Sequence, residues 1–246
     1  MTAPPSLTTV LDMGRDVRVT TRQRTAVDVA RLASSETAFV AVCSILGALA
    51  TLGDTHMDRM NVVQYREREL RARTEMQRMA DALANRSGRQ RARQIISLAS
   101  GLVESVAEAR VLWLLHAYGF PAPEMQYRIS VDGRLYFADF AWPDRMAIVE
   151  FNGEGKYGSG EQRELRVAEE RARESRLRML GYRVLNLSWQ QLRDHQRLAH
   201  LLHEFLNPDA RIPRGGVNLQ IRHDLLRPEQ GVRRDERTIG DRPGGR

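Results

Sequence analysis

Two strand-like runs, Leu135–Trp142 and Met146–Phe151, flank Pro143-Asp144-Arg145-Met146, the pattern of a β-hairpin. With the turn at those four residues, Trp142 faces Ala147, and counting back along both strands sets Asp139 opposite Glu150. Directly opposed residues of an antiparallel pair have Cβ atoms about 4.5–5.5 Å apart, so two carboxylates there repel unless they share a cation. Mg²⁺ or Mn²⁺, which takes one or two carboxylates together with waters and phosphate oxygens, suits such a pair and points toward phosphodiester chemistry. The alternative is a hairpin of another turn length, or one whose two acids face solvent.

The hairpin sits within a longer order. Gly101–Gly119 has Val103, Val106, Ala107, Val111, Leu114 and Leu115 near helical spacing. Met125–Val131 then reads as a strand turning at Asp132-Gly133 into Leu135–Trp142, and Met146–Phe151 completes an antiparallel meander. Glu161–Leu180 is a charged helix stopped by Gly181, Tyr182–Trp189 a strand, and Gln190–Leu206 a helix ended by Pro208. The chain is thus α/β, in the order α-β-β-β-α-β-α, a mixed sheet flanked by helices and preceded by a helical N-terminal region.

That N-terminal region spans residues 1–60. Thr25 and Asp28 have capping-box-like spacing before a helix over Ala26–Leu32, and Ser34 or Ser35 caps a second, apolar helix that Gly53 stops. Two such helices make a poor domain alone, so they must pack on later parts of the chain or on a partner. Residues 61–96 hold a charged connecting helix and the run Arg86-Ser87-Gly88-Arg89-Gln90-Arg91-Ala92-Arg93, whose four arginines Arg86, Arg89, Arg91 and Arg93 either touch phosphates or are simply solvated. The α/β part occupies 97–207, and the Pro- and Gly-rich basic tail 208–246 is expected to be disordered.

Composition narrows the partners. Of 246 residues, 38 are Lys or Arg and 31 Asp or Glu, a net +7 that favours a polyanion, with DNA the first expectation. The single cysteine, Cys43, can form neither an intrachain disulfide nor a cysteine-based zinc site, which suits a reducing cytoplasm. No run approaches the roughly 20 apolar residues of a membrane span. Trp142 and Trp189 are expected to anchor the core. His195, His200 and His203 make a poor zinc site, because only the last two share a helix face.

Several ordered segments carry a family likeness. ESVAEAR (104–110), GFPAPEMQ (119–126), ADFAWP (138–143), VEFNGEGKYG (149–158) and ERARESRLRMLGYRV (170–184) together resemble actinobacterial and phage proteins with a Vsr-like domain of the PD-(D/E)XK superfamily. The resemblance covers about residues 97–192 and implies a restriction-endonuclease-like αβββαβ core. It also implies a Mg²⁺- or Mn²⁺-dependent endonuclease acting on DNA in defence, repair or mobile-element biology. In that reading Asp139 and Glu150 ligate the metal with Glu108, Lys156 orients the attacking water or offsets phosphate charge, and Arg173, on the helix after the metal-bearing strand, helps shape the site or touches nucleic acid, the alternative being a solvent face laced with ion pairs. The family's usual lysine, two residues after the second acid, is here Asn152, which carries no charge and is no base near neutral pH. Ser175 and Asn186 depart from the relatives as well, so an inactive nucleic-acid-binding protein or antitoxin-like regulator is the other expectation. VTTRQRTAVDVARLAS (19–34) resembles a segment of proteins related to AbiEi antitoxins, in which a winged helix-turn-helix domain usually comes first; here no room for one is expected. Its helices are the expected contact for a protein partner or a homodimer.

Overall fold

The computed structural model describes residues 8–12, 16–51, 62–83, 87–152 and 161–208; Gly53, Arg86, Lys156 and, from residue 209 on, the tail expected to be disordered lie outside them. The first element is one that sequence patterning did not foretell. Strands β1 (Thr8–Asp12) and β2 (Asp16–Thr20) pair antiparallel as a hairpin of their own.

Helix α1 (Arg22–Leu32) begins a turn earlier than Thr25 and Asp28 suggest, because Thr21 is the cap and its hydroxyl oxygen accepts from the Arg24 N–H at 3.2 Å. Thr25 instead donates its hydroxyl to the Thr21 carbonyl, and Asp28 pairs with Arg24 at 2.6 Å. Helix α2 (Ser35–Ala50) starts at Ser34 as expected. Helix α3 (Val62–Ala82) is more than a connector: Tyr65, Met76 and Ala80 are buried, and it packs on α1, α2 and α4. Helix α4 (Arg89–Leu98) emerges from the arginine run because Ala92, Ile95 and Ile96 fall on one buried face, while Arg89 and Arg93 both reach Asp81.

The junction to the α/β part is set by two glycines. Gly47 of α2 lies against Gly101 so closely that a Cβ on Gly101 would meet the Gly47 nitrogen at 2.6 Å and its Cα at 2.9 Å. The Gly101 carbonyl accepts the buried Tyr65 hydroxyl, and its N–H donates to Glu69 at 3.1 Å. Cys43 is buried and free nearby, its thiol pushed up to about 12 by burial.

Helix α5 (Val106–Tyr118) starts later than its apolar spacing suggests, at the Ser105 cap, and stops at Gly119 in the left-handed region. Strands β3 (Glu124–Val131), β4 (Arg134–Trp142) and β5 (Ala147–Phe151) are followed by helix α6 (Glu161–Met179), strand β6 (Arg183–Leu187) and helix α7 (His195–Leu206). The sheet order is β3-β4-β5-β6: the first three strands are antiparallel to their neighbours, and β6 returns parallel to β5 after the α6 crossover. Asp132 and Gly133, with φ of 50° and 70°, form the two-residue turn of the first hairpin.

Alternation on the central strand decides the layers. Ala147, Val149 and Phe151 join Phe140 and Trp142 in the main core with α5, α7 and the N-terminal helices. Ile148, with Ala141 and Val184, packs against Leu177 of α6 in a smaller core. Trp142 is fully in the main core, its indole N–H donating to the Pro121 carbonyl at 2.9 Å. Trp189 differs from expectation: it is 39% exposed and meets Phe151 edge-on. Among the described residues no helix is long and apolar enough to cross a membrane.

Candidate functional site

The hairpin register is the one the turn dictates. Trp142 pairs with Ala147, Ala141 with Ile148 and Phe140 with Val149, so the next step sets Asp139 across from Glu150. There the ladder gives way, and Asp139 Oδ2 accepts the Phe151 N–H at 2.9 Å, a side chain filling a backbone rung. On the outer side, Met125 pairs with Phe140 and Tyr127 with Ala138, placing Gln126 across from Asp139. On the inner side Glu150 pairs with Asn186. Gln126, Asp139, Glu150 and Asn186 therefore form one transverse polar row, one residue from each strand. The row beside it, Met125–Phe140–Val149–Leu185, is apolar.

The row coincides with a change of face. Met125 and Phe140 pack with the main core, whereas Tyr127 and Ala138, two residues along, pack with the smaller one. Strict period-two alternation would keep each pair on one face. Gln126, at φ 51°, is the kink that reverses it. Asp139 stands at the same switch, which accounts for a carboxylate that reaches along the sheet to a backbone N–H.

Helix α6 covers the inner half of the row. Arg173 pairs with Glu150, whose side chain is 8% exposed, and Asn186 donates to Glu174 at 3.5 Å, while Glu174 also pairs with Arg178. Glu108, buried at the start of α5, accepts from the Ser105 hydroxyl at 2.7 Å and from the Glu104 N–H at 2.8 Å, while the Ser105 oxygen accepts the Glu108 N–H. This is a variant of the capping box in which the carboxylate takes the backbone N–H of the residue before the cap. Burial first, and then the negative charge of Asp139, push the Glu108 carboxyl up to about 7.

That displacement has a sign. A carboxyl with a higher pKa folded than unfolded contributes fully below its ordinary value of 4.5, and the contribution is lost as pH rises through about 7. Glu108→Gln removes the titration, so its urea-unfolding free energy in EDTA should fall less than that of the parent chain between about pH 5 and 8, by on the order of 2–3 kcal/mol. Parallel pH profiles would show that Glu108 does not carry the burden.

Other expected residues are placed differently. Asn152 follows β5 directly, its N–H donating to the Leu187 carbonyl at 2.8 Å. Arg89, Arg91 and Arg93 belong to α4, which packs on α1, α2 and α3. Lys156 and Arg86 lie outside the described residues. His195 sits 3.6 Å from Glu36 and against Trp113. Gln126 lies within GFPAPEMQ, but no spacing there marks it as functional, and none along the chain foretells that Arg173 sits on Glu150.

Among the described residues no group of three or more His, Cys, Asp or Glu side chains is placed to hold a metal ion. The donor set nevertheless fits a hard divalent cation in kind: Asp139 and Glu150 are adjoining oxygen donors, Glu108 is near enough to feel the Asp139 charge, and Arg173 now supplies the positive charge at Glu150.

Fold and row together define an α/β protein with carboxylates on two adjoining strands of a mixed four-stranded sheet. Two uncharacterized proteins of Mycobacterium tuberculosis are similar to it, each 30% identical over 115 residues, which is 46% of this chain and 41% of theirs. The chain therefore matches about two fifths of the length of these curated relatives. No family model and no solved structure matches.

Proposed function

We propose that this chain is a metal-dependent endonuclease of the restriction-endonuclease-like kind, hydrolysing phosphodiester bonds in DNA. The observation that carries the reading is the hairpin register from Trp142–Ala147 to Phe140–Val149, whose continuation sets Asp139 across from Glu150, on a sheet of αβββαβ order. The motifs shared with Vsr-like proteins and the net charge of +7 support it.

In this reading Asp139 and Glu150 hold Mg²⁺ or Mn²⁺, with Glu108 beside them. The ion, when bound, lowers the pKa of a water and offsets charge on the phosphate. Asp139 is oriented by the Phe151 N–H, which its Oδ2 accepts. Glu108, whose carboxyl is raised by burial and by the Asp139 charge, would add an oxygen donor beside Asp139 and Glu150. A cation at Glu150 would compete with Arg173 for that carboxylate, and a guanidinium beside it is a group suited to a phosphate oxygen.

A second reading has its own support. With Arg173 already on Glu150 and asparagine at position 152, the chain can be a DNA-binding or antitoxin-like regulator that cuts nothing. Supercoiled plasmid incubated with Mg²⁺ or Mn²⁺ separates the two. Nicking that falls at least about a hundredfold in both Asp139→Ala and Glu150→Ala supports the nuclease. Nicking that survives either change refutes this site, and salt-sensitive DNA binding without nicking favours the regulator.

A further inference from the structure

We infer that Gln126 is a positioning residue of the polar row, its buried side-chain amide supplying a further oxygen donor, directly or through one water, to a hard divalent cation beside Asp139. The inference rests on the metal-binding part of the reading above and extends it to a residue that this reading leaves idle.

Gln126 is 6% exposed, yet neither its side-chain oxygen nor its side-chain nitrogen has a hydrogen-bond partner within the protein. Because both atoms are unpaired, exchanging the amide oxygen and nitrogen does not repair the site. Buried amides are nearly always satisfied, and one left bare calls for an ion or a solvent molecule. Its backbone φ of 51° compounds the anomaly. Left-handed backbone favours glycine, with asparagine and aspartate next, so the kink alone would be served better by a residue without this long polar side chain.

The position says what the amide meets. The flanking pairs Met125 with Phe140 and Tyr127 with Ala138 set Gln126 directly across from Asp139, one strand outward from the carboxylate pair. The row then runs amide, acid, acid, amide, with Asn186 at the far end already engaged by Glu174. An amide carbonyl is a neutral, hard oxygen donor suited to Mg²⁺ and Mn²⁺, and beside Asp139 it adds a ligand without adding to the repulsion already felt by Glu108. The amide NH₂ is left to donate to a phosphate or water oxygen.

The test measures Mn²⁺ binding by titration calorimetry and melting in EDTA, for the full chain and for Gln126→Met, Gln126→Glu and Asp139→Ala. Methionine keeps the length and removes both polar atoms. Gln126→Met should therefore melt roughly 3 °C or more above the parent in EDTA while binding Mn²⁺ about tenfold more weakly. Gln126→Glu, which keeps an oxygen donor, should bind at least as tightly as the parent. A merely structural glutamine predicts the same gain in melting with no change in Mn²⁺ affinity, and that result overturns the inference. If Gln126→Met does not fold, Gln126→Glu decides: binding weakened about tenfold overturns the proposal, and equal or tighter binding supports it. If the parent binds no Mn²⁺, or Asp139→Ala binds it unchanged, the metal reading falls and this inference with it. Equal binding by the parent and Gln126→Met removes this inference alone.

Discussion

Arg173→Met is expected to lose about 2–4 kcal/mol of folding stability in EDTA and to recover part of that loss when Mn²⁺ is added. Glu150 is a carboxylate on a central strand buried on both faces, and Arg173 is its cationic partner. Removing one member of a buried pair leaves a charge with neither water nor counter-ion, a loss of roughly 3–5 kcal/mol when both members are fully enclosed. The Arg173 side chain is 32% exposed, so solvent screening lowers the expectation. Urea unfolding in EDTA and in Mn²⁺ reads both halves. No loss in EDTA would make the pair an ordinary surface contact, and a loss that Mn²⁺ leaves untouched would remove Glu150 from the metal ligands. The double change Glu150→Gln with Arg173→Met should regain much of the stability, because the stranded charge is gone.

Gly101→Val should lower stability by about 3 kcal/mol or more, with Gly101→Ala somewhat milder. A Cβ at Gly101 would lie 2.6 Å from the Gly47 nitrogen, 2.9 Å from its Cα and 2.9 Å from the Leu46 carbonyl carbon. All three are backbone atoms of α2, so nothing can swing aside, and relief requires α2 to move away from α5. Gly133 is the control. Its φ is +70°, but no atom lies within 4 Å of a Cβ built there, so Gly133→Ala meets only the conformational penalty of about 1 kcal/mol. Equal losses at the two glycines, read from urea midpoints, would refute the close helix contact as the cause.

What the sequence disclosed follows from the range of the forces involved. Pro143 and Asp144 begin a tight turn, and once it is placed the two-residue period fixes Trp142 against Ala147 and the pairs Ala141–Ile148 and Phe140–Val149 behind it. Ser34, Gly119 and Gly181 were legible as punctuation, because cap chemistry and left-handed backbone are local demands. Helix α4 was hidden by composition: arginines dominate the run, and the buried face consists of Ala92 with Ile95 and Ile96. The reversal at Gln126 breaks the periodicity on which strand reading depends, and no neighbouring residue announces it. Arg173 reaches Glu150 from 23 positions away, a pairing set by how α6 lies across the sheet and not by any spacing along the chain.

The main core runs without a break from Ala26 to Leu206, with Phe39, Val42 and Leu46 of α2 in the same apolar mass as Val111 and Leu115 of α5 and Val149 of the sheet. The segment that bears the acids is therefore not a detachable module. Cutting the chain ahead of residue 97 would strip the cover from the helix that presents Glu108, and the fragment would clump or seek another protein to replace what was cut away.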